Sequence, residues 1–228
     1  MKVVLLHAYP LDERMWEPQL EPLREYDVVA PRLYGRGTTI DEYGASILAE
    51  HEGELALVGA SLGGYTALAM AHREPARVRA LALVGARADA DSPERREGRA
   101  ETKALIEFGG AEALWENQRS RLLLESASDE AVERARKQAL SRTDAELVEA
   151  LEAIRDRADR TDTLAGLDAP VLVAVGEGDL FFPPNEAEAL AQRARHGRFR
   201  AFAGAAHLPN LEQPDEFSAA LAQFLADV

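Results

Sequence analysis

Six short apolar runs recur along the chain: Val3–Leu6, Asp27–Ala30, Leu55–Val58, Val78–Val84, Val171–Val175 and Arg198–Phe202. Most are unbroken rather than alternating apolar with polar. A strand of that kind must be covered on both faces, which is the situation of a parallel sheet between helices. Helical patterns lie between the runs. Ile40–His51 follows Thr39, with Glu42 placed for a capping box. Leu62–Arg73 stops before Pro75, Pro184–Arg195 starts at a proline, and Pro214–Ala226 gathers Phe217, Leu221, Phe224 and Leu225 on one face. Strand and helix in alternation predict an α/β fold.

Between about Ser92 and Arg160 the alternation stops. The segment is rich in Ala, Glu, Arg and Leu and reads as about four helices. They start after Ser92-Pro93, near Gly110, near Ser128 and at Thr143, where Glu146 completes a second capping box. The expected organisation is one domain over 1–228 with a helical insertion at 92–160.

The bulk numbers exclude several functions. The net charge is −14 and no basic stripe is visible, so neither nucleic acid nor an anionic membrane surface is an expected partner. There are no cysteines, which removes disulfides, thiolate zinc sites and a cysteine nucleophile. The apolar stretch after Lys2 is too short for a signal peptide, and no run approaches a membrane span, so a cytoplasmic location is expected. Oligomeric state is not legible.

The chemistry concentrates at "ELALVGASLGGYTALAMAHREP". Gly59-Ala60-Ser61-Leu62-Gly63 fits G-x-S-x-G, follows an apolar run and opens a helical pattern. That context is the one a nucleophile elbow requires. The turn forces the serine into a strained backbone, and the flanking glycines let strand and helix pack closely. The hydroxyl then stands at the carboxyl edge of the sheet, where open α/β folds bind ligands.

Serine needs a base, and the base needs an orienting acid. His72 lies three turns along the helix that Ser61 opens, His51 sits late in an early helix, and His196 lies at a helix end. His207, in "GAAHLP", follows the last strand and reaches the same sheet edge as Ser61. Asp179, in "GEGDL", follows the fifth run. Glu177 is the runner-up, with Asp89 and Asp91 more distant. The chain order is Ser, Asp, His.

These stretches, with "LLHAYPLDERMW", "APRLYGRGTTIDEYG", "APVLVAVGEGDLFFP" and "GAAHLPNLEQPDEF", resemble the α/β-hydrolase superfamily. The resemblance is to small bacterial esterases, enol-lactonases and cofactor-free haloperoxidases and covers nearly the whole chain. It implies a trimmed sheet of about six parallel strands, with residues 92–160 as a cap. It implies a Ser61–His207–Asp179 triad with no metal or cofactor. The family's His-Gly-x-Pro pattern falls on His7, Ala8, Tyr9 and Pro10, with Ala8 in place of the usual glycine. The backbone N–H groups of Tyr9 and Leu62 then form the oxyanion hole, and His7 organises the loop. An epoxide hydrolase or haloalkane dehalogenase is disfavoured, because those enzymes carry aspartate at the elbow.

The pocket wall is expected from sequence neighbours of the triad. Tyr9, Leu62, Leu180, Phe181, Phe182 and Leu208 flank it, with Met15, Trp16, Phe108 and Trp115 from the first loop and the cap. Such a wall is apolar and suits esters of small to medium uncharged acyl groups. A lactone bearing carboxylates would need an arginine there, and Arg119, Arg121 and Arg134 are expected to be mostly solvated. Lactone hydrolysis or perhydrolysis on the same triad is the alternative, and a hydrolase-like ligand receptor is the reading from another class.

Overall fold

Each central apolar run becomes a strand whose alternate residues serve two different cores. The computed structural model describes residues 1–228. The strands are β1 (Lys2–Leu6), β2 (Asp27–Val29), β3 (Leu55–Ala60), β4 (Val78–Val84), β5 (Val171–Gly176) and β6 (Gly197–Phe202). They form one sheet in the order β2-β1-β3-β4-β5-β6, and every pairing is parallel. In β1, Val4 and Leu6 face one core while Val3 and Leu5 face the other. In β4, Leu81 and Leu83 face the first, and Ala80, Ala82 and Val84 the second. The period of two explains why an unbroken apolar run is needed. The edge strand β6 is mostly exposed, as its Arg198 and Arg200 require.

The helices are α1 (Glu17–Leu20), α2 (Ile40–Glu50), α3 (Leu62–Arg73), α4 (Pro93–Leu122), α5 (Asp129–Leu140), α6 (Asp144–Arg155), α7 (Thr161–Gly166), α8 (Pro184–Arg193), α9 (Pro209–Glu212) and α10 (Pro214–Ala226). Helices α2, α3 and α8 cover one face of the sheet, and α10 covers the other. Both expected capping boxes form, Thr39 with Glu42 and Thr143 with Glu146.

Helices α4–α7 stand between β4 and β5. Residue Gly110 breaks α4 with φ 63° and ψ −159°, so the chain has two helices end to end, changing direction where the sequence places a new start. Sequence reading missed the short elements: a 3₁₀ turn at Glu13–Trp16, then α1, α7 and α9. These are four to six residues long and carry too few turns for a periodicity.

Candidate active site

The turn from β3 into α3 is packed without spare room. A Cβ on Gly59 would lie 2.3 Å from the carbonyl oxygen of Gly63, and one on Gly63 would lie 2.1 Å from that of Leu6. Between them Ser61 adopts φ 48° and ψ −110°, and it is the one residue other than glycine with positive φ. Its backbone N–H donates to Val84 O at 2.8 Å, which ties the elbow to β4. Strain of this kind persists only where the surroundings over-determine it.

Two strands away, Asp179 follows the end of β5. It is buried, and one carboxylate oxygen accepts from the N–H groups of Phe181 (2.7 Å) and Phe182 (3.0 Å). The other lies 2.7 Å from His207 Nδ1. That contact fixes the tautomer: Nδ1 carries the proton and donates to the carboxylate, leaving Nε2 free to accept. His207 is also buried, and its backbone N–H donates to Leu122 O at the end of α4 (3.1 Å). Both Ser61 and His207 line one cavity of about 420 Å³. No hydrogen bond joins their side chains, a common state of a serine–histidine pair without substrate. Glu177 is exposed, and Asp89 and Asp91 instead face Arg95. His72 meets Thr163 and His196 meets Asp168, both away from Ser61.

Gly85, just past β4, escaped sequence reading. A Cβ there would sit 2.9 Å from the His207 ring and 3.1 Å from Asp179 Oδ2, and its φ is +56°. The Asp–His pair therefore occupies the space of a missing side chain. The available signal was a glycine at the carboxyl end of a buried strand, one strand from the elbow.

Neither Tyr9 N–H nor Leu62 N–H has a partner among the loop, turn and cap hydrogen bonds. Leu62 is the first residue of α3, where a helix leaves N–H groups free. Behind this loop His7 is fully buried and stacks on Tyr34. Its Nε2 accepts from Leu33 N–H (2.9 Å), and Nδ1 contacts Ala8 O (3.1 Å). Burial pulls its pKa down to about 4, so the ring is neutral and acts as a fixed brace.

The pocket wall differs from the apolar wall that the sequence predicts. Tyr9, Leu180, Phe181 and Phe182 do line the cavity, with Leu180 at its rim, 64% exposed. Leu62, Leu208, Met15, Trp16 and Trp115 do not: all are buried in the core, Leu62 on the α3 face of the sheet and the other four on the opposite face, Trp16 against Phe217. Large apolar groups gain more from that close-packed core than from a wet cleft. Phe108 points into solvent, 93% exposed. In their place five arginines line the cavity, Arg87, Arg95, Arg99, Arg121 and Arg157. Of the three arginines expected to be solvated, Arg121 faces the cavity, while Arg134 pairs outside it with Glu17 and Glu130. No set of three or more acidic or histidine side chains converges as a metal cage.

A parallel sheet with a strained serine at a strand-to-helix turn defines one class of hydrolytic enzymes, those built on the nucleophile elbow. The chain belongs to the alpha/beta hydrolase family, whose model matches residues 3–220. Among its relatives, a pimeloyl-[acyl-carrier protein] methyl ester esterase of Neisseria meningitidis is 30% identical over 98% of this chain and 92% of its own length. A thermophilic esterase from Thermogutta terrifontis, solved with malate bound, superposes with a TM-score of 0.93 at 33% identity, covering 100% of this chain and 90% of that one. The enol-lactonase of Burkholderia xenovorans LB400 gives 0.89 at 25% identity, over 99% and 91%. The chain is a carboxylesterase-type hydrolase.

Proposed function

We propose that the chain cleaves carboxylic esters through an acyl-enzyme on Ser61. The observation that carries this reading is the pairing of a strained Ser61 with a buried Asp179–His207 hydrogen bond on one cavity. His207 Nε2 takes the hydroxyl proton as Ser61 Oγ attacks the ester carbonyl. Asp179 holds the imidazole in its tautomer and stabilises the cation that forms. The N–H groups of Tyr9 and Leu62 receive the oxyanion; one such donor is typically worth about 10²–10³ in kcat. The alcohol leaves with the proton from His207. Water, deprotonated by the same nitrogen, then attacks the acyl-enzyme and frees the acid and the serine.

The helices of 92–160 serve in this reading as a cap, because α4 supplies much of the cavity lining. A lactone is a second substrate form for the same steps, with the leaving alcohol still tethered to the acyl group. The similarity to an enol-lactonase at 25% identity supports including it.

Hydrolysis of p-nitrophenyl esters and of simple lactones by the wild type and by Ser61→Ala tests the reading. We expect Ser61→Ala to lower kcat/KM by roughly 10⁴-fold or more. Stoichiometric labelling of Ser61 by a fluorophosphonate is the companion readout. A Ser61→Ala protein that keeps its activity ends the proposal.

A further inference from the structure

The chain is strongly acidic overall, yet its cavity is lined by five arginines against Asp91 and Glu94. Most of these guanidiniums are committed. Arg87 pairs with Glu186, and Arg95 with Asp89 (2.5 Å). Arg157 reaches Asp91 at 2.6 Å, and Arg99 reaches the same carboxylate at 3.1 Å. The Asp91 side chain is fully buried and shared among three arginines, Arg95 being the third.

Arg121 is different. It has no carboxylate partner and lies flat on the Phe181 ring, 4.0 Å from its centroid. Phe181 in turn packs against His207, with centroids 4.8 Å apart. A free guanidinium therefore stands one aromatic ring away from the proposed base. Partial burial and the nearby Arg99 both pull its pKa below the usual arginine value, as two cations sharing a cleft must. One turn earlier on α4, Gln118 is buried and also lines the cavity. Tyr9 lines it too, and its hydroxyl is buried without a hydrogen-bond partner. Arg99 commits only its Nε to Asp91, so the donors to spare are the Arg121 guanidinium, the terminal nitrogens of Arg99 and the Gln118 amide, with the unpartnered Tyr9 hydroxyl beside them. An uncharged acyl chain would satisfy none of them. A carboxylate accepts from several donors at once and removes the repulsion between the arginines.

We infer that Arg99, Gln118, Arg121 and the Tyr9 hydroxyl form a carboxylate-binding subsite, and that the substrate is an ester carrying a free carboxylate. This rests on the esterase reading above. A cavity of about 420 Å³ is at the small end for ligand sites, so the ester is a short one. The carboxylate stands either on the acyl group or on the alcohol.

The test compares monomethyl adipate with dimethyl adipate, and the butyryl ester of 4-hydroxybutyrate with that of 1-butanol. The wild type should favour at least one charged ester by roughly 10- to 100-fold in kcat/KM, mainly through KM. The preferred pair tells which side of the ester bond carries the charge. In Arg121→Gln that ratio should fall about tenfold, in Arg99→Met/Arg121→Met further, and in 1 M salt it should narrow. Because Arg121 is exposed at the rim, the single variant should fold, as circular dichroism would check. If neither charged ester beats its neutral counterpart, or if the ratio survives both variants, the subsite is refuted. Ser61→Ala run on the same esters separates the failures. If it is inactive and the ratios are flat, only the subsite falls; if it is active, the hydrolase reading falls as well.

Discussion

The floor and the roof of the cavity are built by different means. The floor consists of strand ends: Ser61 after β3, Gly85 after β4 and His207 in the loop after β6, with Asp179 after β5 buried behind His207. There the backbone sets every position, and neighbouring atoms leave no room for a single added carbon at Gly59, Gly63 or Gly85. The roof is α4 and the end of α6, with Arg95, Arg99, Gln118 and Arg121 on the former and Arg157 just past the latter. Its groups are long side chains, three of them, Arg95, Arg99 and Arg157, tied by ion pairs to Asp91. A site divided in this way keeps the proposed reacting groups on a frame that cannot shift. In the proposed reading, recognition falls to the side chains of the roof.

The largest effect that would break the comparison is expected at Gly85. Gly85→Ala forces a Cβ against His207 and Asp179 and strains a positive φ. We expect kcat/KM to fall roughly 100-fold from misplacement of the pair, with a stability loss of about 1–2 kcal/mol. Gly98, on α4 and also lining the cavity, has nothing within 4 Å of a Cβ. There Gly98→Ala should stabilise the fold by up to about 1 kcal/mol, by helix propensity alone. Denaturant titrations of the two variants check the contrast, and equal losses in both would remove it.

A second effect, mainly on stability, is expected where roof meets floor. Asp12, on the loop that carries Tyr9, is buried beside Arg142, which precedes α6, at 3.1 Å. The Asp12 N–H donates to Gln138 Oε1 of α5 at 3.3 Å. Arg142→Met should cost about 3 kcal/mol, the low end for a buried pair that loses one member, because Asp12 keeps Arg14 at 2.6 Å. If the loop depends on this pair, kcat should drop as well; a variant that loses stability with kcat intact would show that the roof does not position the donor.

The smallest effect concerns pH. The His7 pKa is lowered from 6.5 to about 4, so the unfolded chain takes up the proton first as pH falls. The contribution of His7 is complete above about pH 6.5 and is lost as the pH drops toward 4, amounting to about 2 kcal/mol by pH 5. The outer arginines of the roof, Arg95 and Arg99, are partly exposed and should respond to salt instead. Tm measured across pH for the wild type and His7→Gln checks this. Parallel curves would mean that His7 does not carry the acid sensitivity.

Much of the floor is legible in the residues themselves. Val3–Leu6, Leu55–Val58 and Val171–Val175 announce doubly buried strands by lacking polar positions, and G-x-S-x-G announces its turn by residue type. Asp179 and His207 are legible because each follows a strand, and parallel strands deliver their ends to one edge. The roof is not legible in the same way. Trp16, Trp115 and Leu208 are large and apolar, and composition alone cannot say which of two apolar environments takes them. Arg121 is expected in solvent and is exposed, but it stands at the rim of the cavity, which its position in the chain does not announce.

The sequence by itself determined the parallel sheet, the elbow and the chain order of the proposed reacting groups. All three rest on local rules: a period of two, a backbone conformation, the direction of a strand. Only the tertiary structure decided which arginines enter the cavity, that Gly85 makes room for the Asp179–His207 pair, and that Phe108 stays in water. An arginine stem is long enough to reach solvent or cleft from one helical position, so its destination depends on how α4 bends at Gly110 and meets the loop carrying His207. That meeting is a relation between segments far apart in the chain, and no local pattern records it.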